Sequence, residues 1–270
     1  MSFQPNRIQA VLENIPSVKA ADSIRSAFSL FGKDIGTSIF VLILLIIISA
    51  PIEFLDGYTG EYNILSSAYR LLISPILNAG WLFIAHRIYR QNKGNIADLF
   101  AGFKEKAGKI ILVNLLTSLI TLAAMAIPLG IVLSDFLAFY ATNGFDSQSL
   151  MDYDYSTFGL SAALAILVAM ILGFYFAASY FLSTAFVIFY NMGVWDAMEA
   201  SRKVFNKNIG SFFVLGILLV LLNIGGALAL LLGLLVTIPV SAYTTYTVFV
   251  QVADLPDNDE DSLLDELQAD

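Results

Sequence analysis

The chain has 270 residues, of which 58% are hydrophobic and 13% charged, with a mean hydropathy of +0.77. A soluble domain carries about a quarter charged residues, so this composition excludes a globule with an ordinary water-facing surface, and the absence of cysteine excludes disulfides and thiolate metal sites. The net charge of −8 has a local origin: eight of the 22 acidic residues lie in Ala253–Asp270, which has no Lys or Arg, and the other 14 match the 14 basic residues.

Three domains follow. Residues 1–19 are polar and lack the apolar core of a signal peptide. Residues 20–252 form the membrane domain, and 253–270 an acidic tail whose composition predicts disorder on the cytoplasmic side. A helix needs about 20 apolar residues to cross a bilayer. The first span is predicted over Gly36–Leu55, the second over Leu65–Ile88 with a kink at Pro75, the third over Ile110–Leu133 and the fourth over Ser161–Tyr190. The 42 residues of Ser211–Val252 carry no charge. They are too long for one span and predict a hairpin of two, turning between Gly225 and Gly233.

With the N-terminus inside, 13 of the 14 basic residues are cytoplasmic and only Arg70 falls outside. Glu53, Asp56, Glu61, Asp135, Asp146, Asp152 and Asp154 fall in the outer loops. An even number of spans returns the C-terminus to the cytoplasm. The predicted location is a bacterial cytoplasmic (inner) membrane.

Three inner segments resemble one another: Phe31-Gly-Lys-Asp-Ile-Gly36, Phe103-Lys-Glu-Lys-Ala-Gly108 and Phe205-Asn-Lys-Asn-Ile-Gly210. Each follows an amphipathic run: Ile24, Ala27, Phe28 and Phe31; Ile96, Leu99, Phe100 and Phe103; Trp195, Met198, Ser201, Arg202 and Phe205. Such helices lie in the interface, apolar side toward the acyl chains, and the Gly is expected to make the turn into the bilayer. The fold class is therefore an all-α membrane protein of six spans, built as three parallel helical-hairpin repeats, each entered from a cytoplasmic amphipathic helix.

Chemistry-bearing residues are few. One histidine, His86, cannot build a histidine-ligated metal centre, and no phosphate loop or nucleophile elbow occurs. No metal or cofactor is implied, and the dispersed basic residues give no nucleic-acid surface. His86, Arg87, Arg90, Lys109 and Lys207 are candidates for headgroup contacts at the interface. Arg70 is read as a rim ion pair with an outer carboxylate. Asn114, Asn223, Thr244, Thr245 and Thr247 are polar positions within spans, available for interhelical hydrogen bonds or for lining a cavity.

The segment Asp196-Ala-Met-Glu-Ala-Ser-Arg-Lys-Val-Phe-Asn-Lys-Asn-Ile-Gly210, with Thr237-Ile-Pro-Val240 and Ile96-Ala-Asp-Leu-Phe-Ala-Gly-Phe103, resembles bacterial six-span proteins related to the membrane domain of glycerophosphoryl diester phosphodiesterases. The resemblance implies the fold and carries over no catalytic residue, because the phosphodiesterase activity belongs to a separate soluble barrel. The function expected is non-catalytic: a membrane scaffold, assembly or regulatory factor embedded in the lipid bilayer, with Ser262-Leu-Leu-Asp-Glu-Leu267 of the tail able to dock a protein partner. The alternative is a transporter or permease component for a neutral or amphiphilic, lipid-like substrate.

Overall fold

The computed structural model describes residues 12–59, 64–104, 106–144, 160–229 and 232–253. Most of the polar N-terminal segment, the loop bearing Asp152 and Asp154, and the tail from Asp254 lie outside the described residues. Within them the regular structure is helical, with six helices long and apolar enough to cross a membrane. In chain order the elements are helix α1 (Ala20–Lys33), α2 (Ile35–Thr59), α3 (Ile64–Gln91), a 3-10 helix (Ile96–Phe103), α4 (Ala107–Asn143), α5 (Leu160–Ser179), α6 (Ser183–Tyr190), α7 (Val194–Lys207), α8 (Ile209–Leu228) and α9 (Leu234–Val252). The uncharged C-terminal stretch divides as predicted, its turn falling between α8 and α9. Helix α4 runs beyond the predicted Leu133, because a polar Ser or Asp ends an apolar run without ending a helix.

Two of the spans are irregular. In α3, Tyr69–Ile73 forms a π turn just before Pro75. Proline has no N–H to give to the preceding turn, and a widened ladder absorbs the loss. The fourth span is interrupted between Ser179 and Ser183. Ser201 of α7 spans the interruption: its Oγ donates to the Ser179 carbonyl at 2.7 Å and accepts from the Leu182 N–H at 3.1 Å. Both backbone groups freed by the interruption are thereby satisfied.

The chain forms two compact units, residues 1–114 with 179–270, and residues 115–178. In the first, α3 is central: 72% of its apolar stretch is buried, against 17% for α2 and for α8. Helix α9 packs along α1 and against α3 and α8, and α3 carries the 3-10 helix. Side chains such as Ile46, Ile47, Phe213 and Leu221 stay exposed on α2 and α8, an apolar surface suited to acyl chains. In the second unit Ala162, Ala165 and Ala169 of α5 are buried, and Gly173 packs against Met125 of α4. Small residues at helical spacing let these two backbones approach.

The amphipathic runs differ in detail from their prediction. Ala27 and Phe31 of α1 turn into the protein together with Ser23 and Leu30, while Phe28 stays exposed. The small Ser23 and Ala27 allow α1 to lie close against α9, where the Thr247 hydroxyl donates to the Ser23 carbonyl at 2.9 Å. The second run is wound as a 3-10 helix, with three residues per turn. That winding sends Leu99 inward and leaves Phe100 and Phe103 exposed as a pair 6.4 Å apart. In the third run Met198, Ser201 and Phe205 are buried and Trp195 is exposed.

The turns into α2, α4 and α8 are not made by glycine. Gly36, Gly108 and Gly210 each sit second in their helix, with no positive φ. The corner is the residue three after the phenylalanine: Asp34, Lys106 and Asn208. Each of the three carbonyls accepts the first bond of the helix, from Ser38, Ile110 and Phe212 at 3.2, 3.0 and 3.0 Å. That is N-cap geometry in all three places.

Glycine is required instead at Gly80, where α3 meets the 3-10 helix backbone to backbone. A Cβ there meets the Leu99 carbonyl oxygen at 2.5 Å and its Cα at 2.7 Å. Gly80→Ala is expected to destabilise the protein by about 1–3 kcal/mol through overpacking. Gly225→Ala, which meets nothing within 4 Å, is expected to be neutral or stabilising. Thermal unfolding in detergent measures both, and equal effects from the two variants contradict the close contact.

Candidate functional site

The polar chemistry of the first unit gathers at the basic-rich ends of its helices. Each corner is tied sideways to a neighbouring element: Asp34 and Asn208 to the straps before two other short helices, and Lys106 to the last turn of α6. The Asp34 carboxylate caps its own helix by accepting from the Thr37 N–H at 3.0 Å, and accepts from the Gly94 N–H at 2.8 Å. Lys106 Nζ donates to the Ile188 carbonyl, and Lys109 Nζ to Asn191 Oδ1 at 2.9 Å. Asn208 Oδ1 accepts from the Val18 N–H at 2.8 Å while its Nδ2 donates to the Pro16 carbonyl at 3.1 Å. The first corner is thus tied to the strap before the 3-10 helix, the second to the end of α6 and, through Lys109, to the strap before α7, and the third to the strap before α1. The three ties close a ring.

The straps explain why these groups are available. Asn92 and Asn191 end α3 and α6 in the left-handed region, at φ 56° and 51°, a conformation asparagine tolerates better than other side chains with a Cβ. Each is followed by one residue and then Gly94 or Gly193. At Gly94 a Cβ meets Thr37 at 2.9 Å, so the glycine lets the strap sit against the Asp34 corner. Burial raises the Asp34 pKa, but the N–H bonds from Thr37 and Gly94, with the Lys93 charge, outweigh it and hold the carboxyl below its usual value.

Inside this ring the ends of α3, α6 and α9 meet in an aromatic core. Phe189 stacks on Phe249 at 5.3 Å and faces His86 at 5.1 Å and Tyr246 at 5.8 Å. Phe186 meets Phe249 edge-on at 5.3 Å, a preferred aromatic geometry. His86 Nδ1 lies 3.0 Å from the Tyr246 hydroxyl. Next to this core Arg87 grips Asp98 with both arms, Nη2 to Oδ1 at 2.9 Å and Nε to Oδ2, each side chain only 6% exposed. Burial raises the Asp98 pKa, partly offset by its bonds to Arg87.

The sequence-named residues therefore divide. His86 and Arg87 were expected against headgroups, and the structure buries both in the protein, at 2% and 5% exposure. Their partners Tyr246 and Asp98 turn them inward, which charge counting cannot see. Arg90 is half-buried, Lys109 is held by Asn191, and Lys207 is exposed. Arg70 pairs with Glu53 at 2.8 Å on an exposed rim.

Among the span residues, Asn223 Nδ2 donates to Ser241 Oγ across the α8–α9 hairpin at 2.9 Å. Thr244 bonds the Val240 carbonyl, and Thr247 is fixed on Ser23. Asn114 and Thr245 instead line one cleft of about 270 Å³ between α3, α4, α6 and α9. Asn78 and Thr184 join them there, with an otherwise apolar wall that includes Trp81, Leu82, Ile110 and Phe181. Neither Asn78 nor Thr184 was singled out from sequence. The available signal was a neutral polar residue inside an apolar run, Asn78 lying three residues after Pro75.

Removing one partner of a buried ion pair leaves an uncompensated charge and costs about 3–5 kcal/mol, whereas replacing both is far milder. Arg87→Met is therefore expected to lower the unfolding temperature in detergent much more than the pair Arg87→Met with Asp98→Leu. A double variant as unstable as the two single losses added together contradicts the pairing.

No curated protein and no solved structure matches the chain. Residues 28–253 match the family model described as Protein of unknown function (DUF975). That match spans most of the chain, and the chain belongs to this family.

Proposed function

We propose that the protein is a non-catalytic membrane scaffold, assembly or regulatory factor. The observation that carries this reading is the use of its charged groups. Asp34, Lys106, Lys109, Arg87, Asp98, Arg70 and Glu53 hold helix ends and straps together. Groups committed to such ties keep a fixed frame and are not free to transfer protons or to bind a charged cargo in passing. The frame presents its exposed aromatics Phe28, Phe100, Phe103 and Trp195 on the three short segments.

The same reading takes the chain as three parallel hairpin repeats with both termini in the cytoplasm of a bacterium, the short helices lying at the inner-membrane interface. The recurrence of one N-cap position and one kind of tie in the three similar segments supports repetition. The 13-to-one distribution of basic residues supports the orientation. Kinship with the membrane domain of glycerophosphoryl diester phosphodiesterases is proposed on the quoted segments alone. The second reading, handling of a neutral or amphiphilic substrate, is favoured by the cleft with Asn114 and Thr245. Its small volume and the engagement of Asn223, Thr244 and Thr247 elsewhere weigh against a wide passage.

An affinity tag at Asp270 tests the main reading. Full-length protein and a chain ending at Val252, tagged there, are purified in mild detergent and their associated proteins identified by mass spectrometry. A partner retained by the full chain and lost with the tail is the expected result. Recovery of the same proteins with both chains contradicts tail docking, and protection of the tag from protease on the cytoplasmic side contradicts the orientation.

A further inference from the structure

We infer that the cleft between α3, α4, α6 and α9 is a binding site for the uncharged polar part of a neutral lipid, one carrying hydroxyl and ester groups, such as a diacylglycerol. The inference concerns the cleft alone and stands apart from the scaffold reading.

Three observations converge. First, the polar groups are unpaired. The side chains of Asn114, Thr184 and Thr245 have no hydrogen-bond partner among the described residues, and Asn78 reaches only Ser74 Oγ, at 3.3 Å. Other polar positions of these spans divide: Ser241 and Thr244 bond within the protein, while the buried hydroxyls of Thr117, Thr121, Ser183 and Thr237 also lack a partner but do not line the cleft. Unpaired polar groups are costly at membrane depth, so three of them facing one opening beside Asn78 mark a place where something polar completes them.

Second, three of these groups share a depth. Asn114 lies seven residues from Ala107, Thr184 seven before Asn191, and Thr245 seven before Val252. At 1.5 Å per residue that is about 10 Å in from the basic-rich end of each helix. The headgroup layer of one leaflet is roughly 5–7 Å thick. The three groups therefore stand near the boundary of headgroups and acyl chains, where glycerol esters lie.

Third, the chemistry selects the ligand. Two amides and two hydroxyls offer both donors and acceptors. No ionisable side chain lines the cleft, so a phosphate or ammonium finds no counter-charge there. A free hydroxyl can donate to an amide oxygen and ester carbonyls can accept from amide and hydroxyl donors. The acyl chains then follow the apolar wall at Leu82 and Phe181 onto the exposed helix surfaces. The volume of about 270 Å³ exceeds by far the 10–15 Å³ or so a single water needs. Asn78 and Asn114 are exposed at its mouth, so a lipid enters sideways from the bilayer.

The experiment uses the full chain in nanodiscs of phosphatidylethanolamine and phosphatidylglycerol, doped with a photoactivatable diacylglycerol. Crosslinked peptides are mapped, and lipid retained through purification is quantified. The expected result is labelling on peptides containing Asn114, Thr184 or Thr245. Retention should fall about tenfold in the variant Asn114→Leu with Thr245→Val, as expected for the loss of two hydrogen bonds, with unfolding temperature unchanged or raised. Thr184→Val serves as an independent variant should that pair fold poorly. Equal retention by the variants, labelling confined to other surfaces, preferential capture of phosphatidylglycerol, or no retained lipid would each overturn the assignment.

Discussion

Where a chain turns at the edge of a bilayer, its backbone leaves polar groups that neither lipid nor a regular helix satisfies. Asp34, Lys106 and Asn208 answer this constraint from one position in three similar segments. Each caps a span with its carbonyl and fastens a neighbouring strap or helix end with its side chain. The chemistry differs while the position is kept. Aspartate accepts from an N–H, lysine donates to a carbonyl, and asparagine does both. The neighbouring element presents a different backbone group at each corner, so a different side chain completes it.

The packing within the first unit follows from that ring. With the corners fixed, the ends of α3, α6 and α9 are brought together, and large aromatic side chains fill the space between them. Small residues do the opposite work. Gly80 admits the 3-10 helix to α3, and Gly226 admits Gly233 and Thr237 at the last hairpin. The helices outside this centre, α2 and α8, keep apolar surfaces that a bilayer covers. The cleft adjoins the aromatic core, beside Pro75 of α3 and the interruption of the fourth span. Helix irregularities there leave room that regular packing would close.

Much of this was legible in the sequence because hydropathy and charge act over long stretches. Five apolar runs between polar segments, the last long enough for a hairpin, correspond to six membrane-length helices, and the Phe-to-Gly spacing located the three corners to within two residues. Features that depend on a partner far along the chain were not legible. His86 beside two arginines reads as an interfacial residue until Tyr246 is placed against it, and Arg87 does so until Asp98 is. The interruption in the fourth span has no Pro or Gly to announce it, because Ser201 of α7 makes it possible. Glycine was credited with the corner for its freedom, yet a non-helical Asp34 or Asn208 makes the turn through an external bond. The polar span residues were visible as a class, but which of them pair and which face the cleft is set by three-dimensional neighbours.

The ring closes only through the tie between Asn208 and the strap at Pro16–Val18, which lie some 190 residues apart. The chain has no native cysteine, so Ser17→Cys with Lys207→Cys provides a clean pair that leaves Asn208 intact. A short bis-maleimide applied to native membranes is the most direct test. The account predicts an intramolecular crosslink that weakens when Asn208→Leu is added. Failure to crosslink, or a crosslink indifferent to Asn208, contradicts the closed ring.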